Sequence, residues 1–234
     1  MVKKVNGSVW VRCTITVALL LSGCASINNG GGMPIDELRV KANQGDTNAQ
    51  FQLGAAYDQG RGINKNQIEA ATWYRKAAEL GHAAAQNSLG SMHQFGEGAP
   101  QDNVAAVKWF QKAADQGYGE AYTNLGYMYD GGLGVKQDQQ KAVSLYLNGV
   151  EKGSLNAMLN VGVSYWKGEG VAKDIVQAYK WLDLARFYTQ SSPNMQLKYR
   201  VRGALDEVKK EISKEQISKA EQLTKEWEAA HRSK

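Results

Sequence analysis

Small and apolar residues recur along the chain at helical spacing, in short blocks parted by polar, glycine-containing breaks. Ala49, Leu53 and Tyr57 stand four residues apart, a single stripe along one side of an amphipathic helix. A second block carries Ala70, Trp73 and Ala77. Both blocks return every 36 residues without a gap. The first stripe comes back as Ala85, Leu89 and His93, as Ala121, Leu125 and Tyr129, and as Ala157, Val161 and Tyr165. The second comes back as Ala106, Trp109 and Ala113, as Ala142, Leu145 and Gly149, and as Ala178, Trp181 and Ala185. Gly45, Gly81, Gly117 and Gly153 open the four units, residues 45–80, 81–116, 117–152 and 153–188. The pattern predicts an all-α chain of four helix-turn-helix units.

The breaks raise one chemical alternative. Gly60-Arg61-Gly62 could cradle a phosphate, because missing side chains let backbone N–H groups approach an anion. Lys65 stands where a nucleotide-binding loop wants its third glycine, and the pair returns as Gly96/Gly98, Gly132/Gly134 and Gly168/Gly170. One nucleotide does not need four loops, so the glycines are turns that close the first helix. Asn66, Asp102, Asp138 and Asp174 follow as N-caps of the second helix, with Glu69 at capping-box spacing from Asn66. Gly54, Gly90, Gly126 and Gly162 leave room for a neighbouring helix, and one Trp or Leu per unit fills the gap between neighbours.

A stack of such units exposes apolar faces at both ends unless they are covered. Residues 34–44, "PIDELRVKANQ", read as a leading half-repeat, with Pro34 in its first turn. Residues 189–234 read as C-terminal capping helices. The first carries Val201, Leu205, Val208 and Ile212; the second is capped by Ser213 with Gln216 and carries Ile217, Ala220, Leu223 and Trp227.

The recurring "A…LG..Y..G.GV..D...A..WY.KAA..G" resembles the Sel1-like repeat, a relative of the tetratricopeptide repeat. The resemblance implies an α-solenoid whose helix pairs stack into a right-handed superhelix, with a concave groove lined by the first helices. Three places depart from it: Ala99-Pro100 in the second loop, Leu145 for Trp, and Gly149-Val150 for Ala-Ala. The last two predict looser packing around repeat 3.

Ahead of the repeats, Lys3, Lys4 and Arg12 precede the apolar run "CTITVALLLSGC", about a dozen residues and too short to span a bilayer as a helix. Its end, Leu21-Ser22-Gly23-Cys24, resembles the bacterial lipobox. That implies a signal peptide over 1–23, lipid on Cys24, and, because Ala25 follows, an outer-membrane lipoprotein facing the periplasm. Residues 24–33 form a polar, glycine-rich tether, expected to be flexible. The charge follows the leader: without its three basic residues, 25 basic residues face 23 acidic, which gives nucleic-acid binding no support. Cys13 leaves with the leader, so with Cys24 lipidated no thiol remains for a disulfide, a metal site or a nucleophile.

Catalytic chemistry is hard to assemble from what is left. His82 follows a repeat-start glycine, His93 replaces a packing Tyr, and His231 lies in a tail expected to fray. None has a Cys or second His at ligand spacing, so neither metal nor cofactor is expected. Ser88 and Ser91 lack a G-x-S-x-G context. The expectation is a non-enzymatic binder of a protein partner.

Residues beside the Ala-Leu-Tyr stripe should line its groove. They are Asn48, Phe51 and Asp58 in repeat 1, and Asn87, Ser91, Gln94 and Phe95 in repeat 2. Glu120, Thr123, Tyr127 and Asp130 follow in repeat 3, then Asn156, Leu159 and Trp166 in repeat 4. Amides and aromatic anchors suit protein recognition. By resemblance the role is an envelope scaffold; alternatives are an immunity protein that neutralises a secreted antibacterial effector such as a phospholipase, and an envelope enzyme acting on peptidoglycan or β-lactams.

Overall fold

The computed structural model describes residues 33–231; the leader, Cys24 and nearly all of the tether lie outside them. The described residues form eleven α-helices and no strand. A leading helix α1 (Ile35–Asn43) precedes four pairs: α2 (Thr47–Gln59) with α3 (Gln67–Glu79), and α4 (Ala83–Phe95) with α5 (Asn103–Asp115). Then come α6 (Gly119–Gly131) with α7 (Gln139–Glu151), and α8 (Leu155–Lys167) with α9 (Ile175–Thr189). Two longer helices, α10 (Met195–Glu211) and α11 (Lys214–His231), close the chain. Each helix packs on the next from α1 to α10, the arrangement of an α-solenoid.

Each turn is built alike. Gly60, Gly96, Gly132 and Gly168 take the left-handed conformation and stop the first helix. Side-chain oxygens of Asn66, Asp102, Asp138 and Asp174 then accept the orphan N–H groups of the second. Glu69 does not complete a capping box. The Asn66 N–H donates instead to the Tyr57 carbonyl at 2.9 Å, as Asp102 does to His93, Asp138 to Tyr129 and Asp174 to Tyr165. Among the described helices only α11 forms the reciprocal box, Ser213 N–H to Gln216 at 2.9 Å and Gln216 N–H to Ser213 at 3.2 Å.

The second glycine of each pair does more than turn. A Cβ on Gly98 would sit 2.0 Å from the Gln67 carbonyl oxygen, and Gly134 and Gly170 meet Asn103 and Gln139 in the same way. Each loop is pressed against the start of the preceding repeat's second helix.

Inside a repeat, the two helices meet at Gly54, Gly90, Gly126 and Gly162. There Tyr74, Phe110, Tyr146 and Leu182 lie where a methyl would be. These four, rather than the neighbouring Trp position alone, fill the gap, and Phe110 and Leu182 are wholly buried. Repeat 3 is not loose. Leu145 and Val150 are buried, and Gly149 admits α8 so closely that its own Cβ would meet that of Ala157 at 2.9 Å.

The ends hold two further surprises. Pro34 sits at the N-cap, one residue before the first turn. At the other end α10 stacks on α9 as another first helix would, burying Leu197, Val201, Leu205 and Val208. α11 does not pair with α10; it folds back onto α9. There Trp227 meets Trp181 edge-on at 5.7 Å. His231 is therefore no frayed tail: it stacks on Trp227 at 4.1 Å, its Nδ1 lies 2.7 Å from the Trp227 carbonyl, and its Nε2 lies 3.1 Å from Glu151 at the end of α7.

Candidate partner-binding face

The expected groove residues divide once the first helices α2, α4, α6 and α8 are stacked. Phe51, Asn87, Thr123 and Leu159 occupy one repeat position, and it is a seam between neighbouring first helices. Phe51 stacks on His82 with centroids 4.6 Å apart. Asn124 Nδ2 donates to Asn87 Oδ1 at 2.9 Å. Thr123, 4% exposed, shares a hydrogen bond of 2.8 Å with Ser154, itself buried. Leu159 is 2% exposed in the C-terminal core. Thr123 and Leu159 thus cannot meet a partner, because the repeats approach too closely at this position.

Gln94 is also buried rather than open, and its carbonyl accepts from Gln101 at 3.1 Å. Ser91 hydrogen-bonds back to the Asn87 carbonyl at 3.3 Å, and Asn156 reaches Glu120 at 3.4 Å. Trp166 is half-buried against the C-terminal core, where its indole N–H donates to Glu211 on α10 at 2.9 Å. Lys173 takes the other Glu211 oxygen at 3.1 Å, and the two donors hold that carboxyl below its usual range. Trp166 ties the cap to the solenoid and is not a free anchor.

What stays open is smaller: Asn48, the half-exposed Asp58 and Asp130, and two large side chains, Phe95 (65% exposed) and Tyr127 (52%). Two buried phenols lie near the acids. Burial, then Asp58, pushes Tyr74 up to about 12; burial, then Asp130, raises Tyr146 in the same way. Both phenols stay neutral, so they add no further negative charge beside the aspartates.

Of the histidines, His82 is an N-cap whose Nδ1 accepts from the Ala85 N–H at 3.1 Å. His93 bonds through Nδ1 to the Pro100 carbonyl at 3.1 Å, joining two departures of repeat 2 from the common pattern. Among the described residues no three His, Cys, Asp or Glu side chains converge on a possible metal site, and no helix is long and apolar enough to cross a membrane.

Some of this escaped the sequence. The Trp166–Glu211–Lys173 group falls outside the repeat, so no periodicity marks it. Gln50 and Gln86 did carry a signal, one repeat apart. Each buries its amide and donates to the previous second helix, at the Ala42 carbonyl (3.1 Å) and the Ala78 carbonyl (3.0 Å).

The architecture and the open first-helix face define a helical-repeat solenoid, a class of protein-interaction module. The chain belongs to the Sel1 repeat family, whose pattern matches residues 47–82, 83–118, 119–154 and 155–186. A solved protective antigen with the same repeat fold, from uropathogenic Escherichia coli strains, is 33% identical with a TM-score of 0.75. The match covers 86% of this chain but only 42% of that one. A Sel1 repeat protein from Oxalobacter formigenes is 33% identical with a TM-score of 0.63, covering 74% of this chain and 75% of that one. Among curated proteins none matches at a significant level. Sel1 repeat proteins are typically non-catalytic scaffolds for protein partners.

Proposed function

We propose that this chain is a lipid-anchored component of the bacterial cell envelope that holds a protein partner on the first-helix face of its solenoid. The observation that carries the reading is the exposure of Phe95 on α4 and Tyr127 on α6, with Asp130 one helical turn after Tyr127 and Asp58 on α2 both partly exposed. Neither ring belongs to the seam that Phe51 on α2 joins, or to the contact by which Trp166 on α8 ties the cap. Aromatic anchors beside acids suit a partner that offers an apolar residue and a cation. The basic leader ending in Leu-Ser-Gly-Cys supports the anchor. The E. coli relative's standing as a protective antigen accords with an envelope position.

Two measurements test this. Phe95→Ala with Tyr127→Ala should weaken partner capture from envelope extract by about thirtyfold, the worth of one anchor, with unchanged helicity. Undiminished capture would place the partner elsewhere. Cys24→Ser should release the protein from the outer membrane fraction; continued retention would rule out the lipid anchor. Capture of a secreted toxin would identify an immunity role, and capture of an envelope assembly factor a scaffold.

A further inference from the structure

We propose that the outer face of repeat 2, around Trp109 on α5, docks an acidic amphipathic helix of a protein partner. This is a second surface, formed by second helices and distinct from the first-helix face. The molecule already contains one helix docked in this manner. α11 lies on α9 with Ala220 fully buried and Trp227 against Trp181. Its Glu226 lies near Lys180, and its Glu221 near Tyr179.

The repeat maps Tyr179, Lys180 and Trp181 onto Val107, Lys108 and Trp109, two units earlier. In repeats 1 and 3 the two apolar positions are closed, Ala71 and Trp73 in one, Val143 and Leu145 in the other. In repeat 4 they are closed as well, beneath α11. In repeat 2 both Val107 and Trp109 are left partly exposed. They border an open pocket of about 450 Å³ flanked by Lys108 and Lys112. Lys112 rests its ammonium 4.3 Å over the Trp109 ring, and neither lysine forms an ion pair with a carboxylate among the described residues. A helix that brings one large apolar residue to Trp109 and glutamates to the two lysines completes what α11 completes on α9. The charge selects an acidic helix over a basic one.

The chain supplies its own probe, a synthetic peptide of residues 214–231, titrated into the full-length protein. Saturable binding that weakens with salt is expected. Lys108→Glu with Lys112→Glu, both on the surface, should weaken it by at least about tenfold. The peptide carrying Trp227→Ala should fail equally. No saturable binding up to about 1 mM, the weak limit for a specific site, would overturn the proposal. So would equal affinity for the double variant, since the peptide would then be exchanging with α11 on α9. Each variant's thermal unfolding is recorded alongside, and α9 carrying Lys180→Glu, which leaves repeat 2 intact, must keep its affinity; loss there instead of at α5 also overturns it.

Discussion

Two contacts recur in every repeat and solve the spacing of helices by opposite means. Where the two helices of one repeat cross, all four units use glycine, and a methyl there would lie 2.6–2.7 Å from the side chain seated on it. Where first helices of neighbouring repeats meet, four residues differ: a stacked Phe51, an amide at Asn87, a hydroxyl at Thr123 and the aliphatic Leu159. The crossing is set by a large side chain seated directly on glycine backbone, which leaves no room for a Cβ. The seam is a gap that side chains close, and any pair that fills it with satisfied polar atoms will serve. Uniform positions report backbone distance; varied ones report local pairing.

The largest effect should come from the loop that touches the preceding repeat. Gly96 and Gly98 both have positive φ, 72° and 70°. Around Gly96 the nearest atom to an added Cβ is the Gln101 Cβ, 3.3 Å away, while Gly98 would meet the Gln67 backbone at 2.0 Å. Gly96→Ala should cost about 1–2 kcal/mol, the left-handed penalty alone. Gly98→Ala adds overpacking against backbone and should cost roughly 3 kcal/mol or more. Urea unfolding followed by circular dichroism separates them; equal losses would mean that the glycine pair only turns the chain.

At the crossing, Gly90→Ala forces a methyl to within 2.7 Å of the wholly buried Phe110 ring. The ring has no free volume to enter, so a loss of about 1–3 kcal/mol is expected despite alanine's better helix propensity. The companion Gly90→Ala with Phe110→Leu should recover part of it, because repeat 4 already seats Leu182 on its glycine.

The seam should respond less, and through hydrogen bonding. Thr123→Val keeps the shape but removes the partner of Ser154, a hydroxyl 1% exposed. Ser154 still accepts from the Ala157 N–H at 3.3 Å, so what is lost is a home for its own proton. A cost of about 1–2 kcal/mol follows from one unsatisfied buried donor. No change in thermal midpoint would show that the seam tolerates an apolar contact there.

These contrasts also explain how much could be read in the sequence. The helices, the turns and the glycine crossings follow from residues that repeat every 36 positions, and repetition is visible without coordinates. The candidate partner-binding face was legible only in part. Tyr127 and Phe95 are open, but Thr123, Leu159 and Gln94 were counted with them and are buried. A helical wheel shows which side a residue is on, not how near the next repeat comes. The fold-back of α11 onto α9, and the clasp that joins His231 to Glu151 across 80 positions, involve a helix outside the repeat.

A smaller effect, a gain, is available at Gln50. Its amide oxygen is buried without a partner among the described residues, while the equivalent oxygen of Gln86 accepts from Gln116 at 2.7 Å. The residue of repeat 1 that matches Gln116 is Leu80, 62% exposed. Leu80→Gln removes little buried apolar area and supplies the missing donor, so it should stabilise by about 1 kcal/mol. Leu80→Ala, with no donor, should not; a gain from both would trace to the loss of exposed leucine instead.

The smallest effect tests the first-helix caps, where Asp46, His82, Tyr118 and Ser154 share one repeat position. Asp46 and Ser154 cap with side-chain oxygens, and Tyr118 makes no side-chain cap. His82 caps with Nδ1, which can accept from Ala85 only while unprotonated. Burial, including the Phe51 ring stacked on it, lowers its pKa, and a bond to its own backbone opposes this more weakly. The unfolded chain then binds the proton more readily than the folded one. The contribution is therefore complete above the ordinary histidine pKa of about 6.5 and is lost as pH falls from there through the folded value. His82→Ser keeps an oxygen cap without the titration, as Ser154 does. The stability difference between wild type and His82→Ser should shift against the wild type between about pH 7.5 and pH 5, by a fraction of a kcal/mol for so partly exposed a ring. A flat difference across that range would mean that the imidazole caps equally well when charged, through a rotated ring rather than through Nδ1.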